Sequence, residues 1–224
     1  MAWFGADPGG ANAFGVALLG PDGSFESAVV SCADGAFKWL EERTDSIEAA
    51  GIDAPLWWSS GESGDRHADR AIREKLRRVN AKDIGGTVQS ANSLRGAVLI
   101  QGAMLAARLR DKFPKLPLTE AHPKALLKAL WPDLSKSGPP WEKIAKHFQL
   151  EGSEPDDDDR KDKRDALLAA VAAREGAAGG WKCDLAKKRC AFEQDPDRVP
   201  WGPVSYWWPE ELDDVNEIES IYRD

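Results

Sequence analysis

The sequence predicts an α/β domain, a mixed sheet flanked by helices, with a tryptophan-rich C-terminal extension. Three observations carry this expectation. Short apolar runs separated by glycine- and proline-containing turns open the chain. Segments of helical periodicity then alternate with short apolar runs. After Gly176 the texture changes to glycines, prolines and tryptophans.

The elements follow in order. Ala2 to Ala6 and Ala13 to Leu19 are apolar runs joined through Asp7-Pro8-Gly9-Gly10, and Pro21-Asp22-Gly23-Ser24 is a turn signal before Phe25 to Ser31. This pattern predicts an antiparallel meander. Over Asp34 to Ala50, Phe37, Leu40 and Ile47 share a helical face, and Gly51 is expected to stop that helix. Ile52 to Leu56 is expected as a short buried strand ending near Pro55, which has no N–H to give a ladder. Asp65 to Val79 is a charged helix, Ile84 to Ser93 a polar loop, and Leu94 to Phe113 a helix closed by Pro114. Leu116 to His122 is expected as a strand, with Pro123 opening a helix through Leu130. Trp141 to Leu150 is amphipathic, Glu151 to Asp159 is an acidic linker, and Arg160 to Arg174 is an alanine- and leucine-rich helix. Residues 1–175 are therefore expected as one domain. Residues 176–224 are expected as a Trp-rich acidic extension packed on it.

Composition bounds the function. A hydrophobic fraction of 42% supports a real core, and no segment approaches the roughly 20 apolar residues of a membrane span. No basic region followed by a hydrophobic stretch marks the N-terminus, so a cytoplasmic protein with no membrane partner is expected. Cys32, Cys183 and Cys190 lack the spacing of a zinc knuckle or a disulfide framework and are expected as free thiols. The net charge of −8 is unevenly spread: basic residues dominate between Arg66 and Lys112, and acids dominate from Asp156 to Asp159 and beyond Glu193. A basic middle beside an acidic site is compatible with a phosphate-bearing partner.

The residues that carry chemistry are acids in apolar strands. Asp7 follows small residues and precedes Pro-Gly-Gly, Asp53 sits in Gly-Ile-Asp-Ala-Pro, and Glu120 and His122 sit in Thr-Glu-Ala-His-Pro. Burying one such carboxylate unpaired is costly. Three strands each delivering one imply an acidic cluster near the strand ends. Clustered carboxylates need a divalent cation or raised pKa values, and oxygen donors favour Mg²⁺ or Mn²⁺. Asp162 and Asp165 share one face near the start of the late helix, where the helix dipole also favours acids. Asp165 begins an apolar run and should point inward. His122 is a candidate general base or metal-site helper, or else a partner to a neighbouring acid. Arg66, Arg70 and Arg73 make a helical stripe that either grips a phosphate backbone or pairs with Asp69 and Glu74. Trp57 and Trp58, beside Asp53, either stack on bases or join the core.

Together these motifs resemble the domain-of-unknown-function family numbered 429, whose members are predicted ribonuclease H-like nucleases. The resemblance runs from about Trp3 to Arg174 and includes the charged segment with Arg66, Asp69, Arg70 and Arg73. It implies a ribonuclease H-like fold related to Holliday-junction resolvases. In that superfamily acids from strand one, a middle strand and a late helix bind divalent metal. By position these are Asp7, Asp53, and Asp165 with Asp162, and Glu120 belongs to the Glu-x-His-Pro-like motif. The expected activity is metal-dependent hydrolysis of nucleic-acid phosphodiesters. Asp7 would bridge two Mg²⁺ ions about 4 Å apart, and the three arginines would hold phosphates. A catalytically inactive scaffold and an ATP-dependent phosphotransferase are the alternatives, because a fold does not fix a function.

Overall fold

The antiparallel meander forms at the N-terminus from β1 (Trp3–Asp7), β2 (Phe14–Leu19) and β3 (Phe25–Val30). The structure, a computed structural model, describes residues 1–10, 13–61, 64–82, 84, 87–89, 96–133, 138–155, 160–190 and 192–212. Much of the loop expected over Ile84 to Ser93, and the end of the acidic linker at 156–159, lie outside the described residues.

Helix α1 (Ala33–Glu41) follows, then β4 (Ala49–Ile52), α2 (His67–Arg78), α3 (Gly96–Lys112) and β5 (Leu118–Glu120). Next come α4 (Pro123–Leu130), α5 (Trp141–Phe148) and the long α6 (Arg160–Ala177). Three two-residue strands follow in the last part of the chain, β6 (Cys183–Asp184), β7 (Val204–Ser205) and β8 (Trp207–Trp208), and β7 pairs with β5. The main sheet has six strands in the order β3-β2-β1-β4-β5-β7. β1, β2 and β3 pair antiparallel, whereas β4, β5 and β7 run parallel to β1. The extension after Gly176 thus supplies the sixth strand, and β6 pairs with β8 in a separate small sheet. Among the described residues no helix is long and apolar enough to cross a membrane.

Two expected elements are corrected. The strand expected over Ile52 to Leu56 keeps only Ile52, the last residue of β4. The helix over Asp34 to Ala50 ends at Glu41, and Ala49 to Gly51 lie inside β4. Thr44 offers the backbone an alternative to helix: its hydroxyl donates to the Ser46 carbonyl and accepts from the Ser46 N–H. Gly51 is therefore not a helix stop. It is buried in the sheet, where a Cβ would lie 2.0 Å from the Ala169 carbonyl oxygen of α6.

The same demand recurs on two neighbouring strands. A Cβ on Gly5 would lie 1.9 Å from the Ala166 carbonyl oxygen, and one on Gly15 would lie 2.1 Å from that of Asp162. Gly5 pairs directly with Gly51 across β1 and β4, while Gly15 pairs with Asp7 across β2 and β1. Helix α6 consequently lies with its backbone almost on the sheet. Its alanines, buried from Ala166 to Ala173, allow that approach. This contact fixes how far along the sheet the first turns of α6 reach.

Candidate functional site

Strand parity decides which acids meet. Side chains alternate between the two faces of a strand, and the register pairs Gly5 with Gly51 and Ala6 with Ile52. Asp7 and Asp53 therefore share the face on which α6 lies. Asp7 ends β1, and Asp53 comes directly after β4 with its N–H donating to the Ala6 carbonyl at 2.8 Å. The glycine contacts seat Asp165, on the first turns of α6, against the same strand ends. One ligand oxygen from each of Asp7, Asp53 and Asp165 falls within 4.8 Å of the others.

The electrostatics of this group are unfavourable as it stands. Asp165 is 1% exposed, and neither of its carboxylate oxygens has a hydrogen-bond partner. Burial, reinforced by the Asp53 charge and opposed by Arg164, Lys124 and Lys161, pushes its pKa up to about 6. Asp7 is raised well above the usual carboxylate range, first by burial and then by the charges of Asp53, Asp165 and Asp162. The three carboxylates lie close enough to share one cation. Hard oxygen donors on three separate elements suit a divalent ion.

The cleft in front of the acids encloses about 180 Å³ and is lined by Pro8, Ala54, Thr87, Val98 and Lys124, among others. It opens at the carboxyl ends of the parallel strands, where open α/β sheets bind ligands. His122 spans it from the N-cap of α4. Its Nε2 lies 2.7 Å from the Thr87 carbonyl oxygen and its Nδ1 lies 3.2 Å from Asp53 Oδ1. A carbonyl can only accept, so Nε2 carries a proton. Nδ1 can then donate to Asp53 only as an imidazolium. Burial disfavours that charge, but the Asp53 hydrogen bond and charge outweigh it and raise the His122 pKa. His122 is thus placed as the partner of a neighbouring acid.

Glu120 lines the same cleft, with Arg66 and Asp69, but lies outside the three-carboxylate group. It is in register with Ile52, one residue short of the Asp53 level, so it points to the opposite face of the sheet. There it meets Arg66, which is 1% exposed. Arg66 donates from Nη1 and Nη2 to the two Glu120 oxygens at 2.6 Å each, and from Nε and Nη2 to Asp69 at 3.0 and 2.8 Å. Its remaining Nη1 hydrogen reaches the Trp57 carbonyl at 3.5 Å. All five guanidinium hydrogens are engaged, and Leu56 N–H donates a further bond to Glu120. Of the two readings of the arginine stripe, pairing with Asp69 holds at Arg66. Arg66 has no donor left for a phosphate, and it caps α2 from a buried position. Arg73 pairs with Asp65 at 2.6 Å, and Arg70 contacts the Asp65 carbonyl and the Cys190 thiol.

Asp162 is half-buried on the first turn of α6 and adds its charge to the field at Asp7, outside the three-carboxylate group. Two cleft residues escaped the sequence reading. Lys124 faces the acids: burial disfavours its charge, but Asp165, Asp53 and Asp7 outweigh burial and raise its pKa. Its place directly after His-Pro in the Glu-Ala-His-Pro motif was the available signal. Thr87 acts through its backbone carbonyl, which side-chain chemistry does not reveal.

The fold and site together define an α/β protein with a carboxylate-lined cleft at the carboxyl ends of its parallel strands. No protein-family model, curated protein or solved structure matches the chain.

Proposed function

We infer that this chain is a divalent-metal-dependent nuclease built on a ribonuclease H-like fold. One observation carries the reading: Asp7, Asp53 and Asp165 converge from three separate elements, and both oxygens of the buried Asp165 lack a hydrogen-bond partner, with Arg164 Nε 3.7 Å from one of them. The order of the acids, from a first strand, a middle strand and a late helix, is the one the superfamily resemblance implies. The antiparallel meander continued by parallel strands supports the same reading.

Asp7, Asp53 and Asp165 would hold Mg²⁺ or Mn²⁺. The bound ion supplies Lewis acidity toward a phosphodiester and toward the attacking water. The chain's own residues do the rest. His122, tethered to Thr87, fixes the orientation of Asp53. Lys124 places a positive charge at the cleft, where a phosphate would face the acids. The buried Arg66–Glu120–Asp69 network holds the strand ends from the other face of the sheet. Nucleic acid is the partner that this chemistry favours, with Lys124 as the cation at the acids.

The test is a calorimetric titration of Mn²⁺ and Mg²⁺ into wild type and Asp7→Asn, followed by incubation with labelled DNA and RNA. Metal binding that disappears in the variant, with metal-dependent cleavage by wild type alone, is the expected result. Absence of metal binding in the wild-type protein would remove the basis for the reading and leave an inactive scaffold.

A further inference from the structure

The tryptophan pair beside the cleft is split by the fold. Trp57 is 3% exposed and stacks under the Arg66 guanidinium, 4.2 Å from its ring centre. Trp58 is 38% exposed. The backbone carrying it pairs with a distant segment of the extension. Ser60 N–H donates to the Phe192 carbonyl at 2.9 Å, and Gln194 N–H donates to the Trp58 carbonyl at 2.8 Å. Ser59 and Glu193 form the antiparallel bridge between these bonds.

This short ladder sorts its side chains by face. Ser59 is buried. Glu193 points inward and is consumed by three N–H donors, from His67, Cys190 and the Trp57 indole. Trp58, Ser60, Phe192 and Gln194 alternate to the opposite, outward face. Phe192 is 67% exposed. Trp58 and Phe192 are diagonal neighbours across the ladder, a position at which Cα atoms are typically about 7–8 Å apart. In a chain of net charge −8, this outward face carries two aromatic rings, two neutral polar groups and no acid. Trp58 also follows Pro55, a cleft-lining residue, closely enough that the chain between them spans at most about 11 Å.

We propose that Trp58 and Phe192 form a stacking platform for unpaired bases, so that the substrate is single-stranded nucleic acid led from this ladder into the carboxylate cleft. The proposal rests on the nuclease reading for its direction of travel, but not for the platform itself. Exposed aromatic rings held by paired backbone are pre-organised, so little freedom is lost on stacking. Every base offers a π face, which makes such a platform tolerant of sequence. A duplex keeps its bases stacked on one another and offers nothing to these rings.

The experiment is fluorescence anisotropy with labelled single-stranded DNA and RNA and the matching duplexes, in EDTA so that no cleavage occurs. Single strands should bind more tightly than duplexes. Trp58→Ala and Phe192→Ala should each weaken single-strand binding by roughly 5- to 150-fold, and Trp58→Phe should retain most of it. Both side chains are solvent-facing, and circular dichroism checks that the variants remain folded. Equal binding of single strands by wild type and both alanine variants would overturn the platform. So would equal affinity for duplexes, or a concentration-dependent dimer in sedimentation that Trp58→Ala dissolves. Metal-dependent cleavage separates the two readings. Cleavage that persists with unchanged binding in the variants defeats the platform alone. Platform-dependent binding without cleavage by wild type defeats the nuclease alone.

Discussion

Replacing Asp165 by Asn should make the metal-free protein more stable, although the residue is almost wholly buried in the core face of α6. Its carboxyl is lifted from 3.8 to about 6. At 1.36 kcal/mol for each tenfold change in proton affinity, the ionised side chain burdens the folded state by about 3 kcal/mol at neutral pH. The direction with pH follows from linkage. The folded chain holds this proton more tightly than the unfolded chain, so the contribution favours folding fully below about pH 4 and is lost as pH rises through about 6. Asparagine is nearly isosteric and can donate to the neighbouring carboxylates, so the burden is removed without leaving a cavity. The assay is urea or thermal unfolding of wild type and Asp165→Asn in EDTA. The variant should gain about 2–3 kcal/mol at neutral pH. That corresponds to roughly 4–12 °C in melting temperature for a chain of this size. The gain should shrink toward nothing near pH 4. Millimolar Mn²⁺ should stabilise wild type and leave the variant unmoved, because a ligand stabilises only the form that binds it. A variant less stable than wild type in EDTA at neutral pH, or one that keeps the full Mn²⁺ response, would refute the argument that Asp165 is a strained ligand awaiting a cation.

Glu120→Ala should behave in the opposite way. It strands the buried Arg66 guanidinium with half its partners gone, and it should cost about 3–5 kcal/mol with or without metal. An exposed-surface effect below about 0.5 kcal/mol in urea unfolding would contradict the buried pair. Gly51→Ala should lift α6 from the sheet, costing about 1–3 kcal/mol and weakening Mn²⁺ affinity although the residue touches no ligand. Calorimetry with unchanged Mn²⁺ affinity would show that the seat of α6 does not set the geometry of the cluster.

The sequence by itself determined the layered α/β class, because local periodicity and turn residues are short-range signals. It also determined the acid cluster. A carboxylate at the end of an apolar strand or on the inward face of an alanine-rich helix stands out wherever it occurs, and Asp7, Asp53 and Asp165 all do so. Their convergence needed only neighbouring strands and a helix laid across them. The tertiary structure alone decided the rest. Glu120 looks like Asp53 in sequence, yet the register of β4 with β5 turns it to the other face of the sheet, since a shift of one residue reverses a side chain. Arg66 reads either as part of a phosphate-gripping stripe or as a partner of Asp69, and only its burial beside Glu120 and Asp69 shows that its donors are spent. Gly51 reads as a helix stop until α6, far along the chain, is seen resting on it. Trp58 and Phe192 become neighbours through a ladder between segments more than a hundred residues apart. Contacts of that kind are set by how elements stack and pair, and no local pattern of residues encodes them.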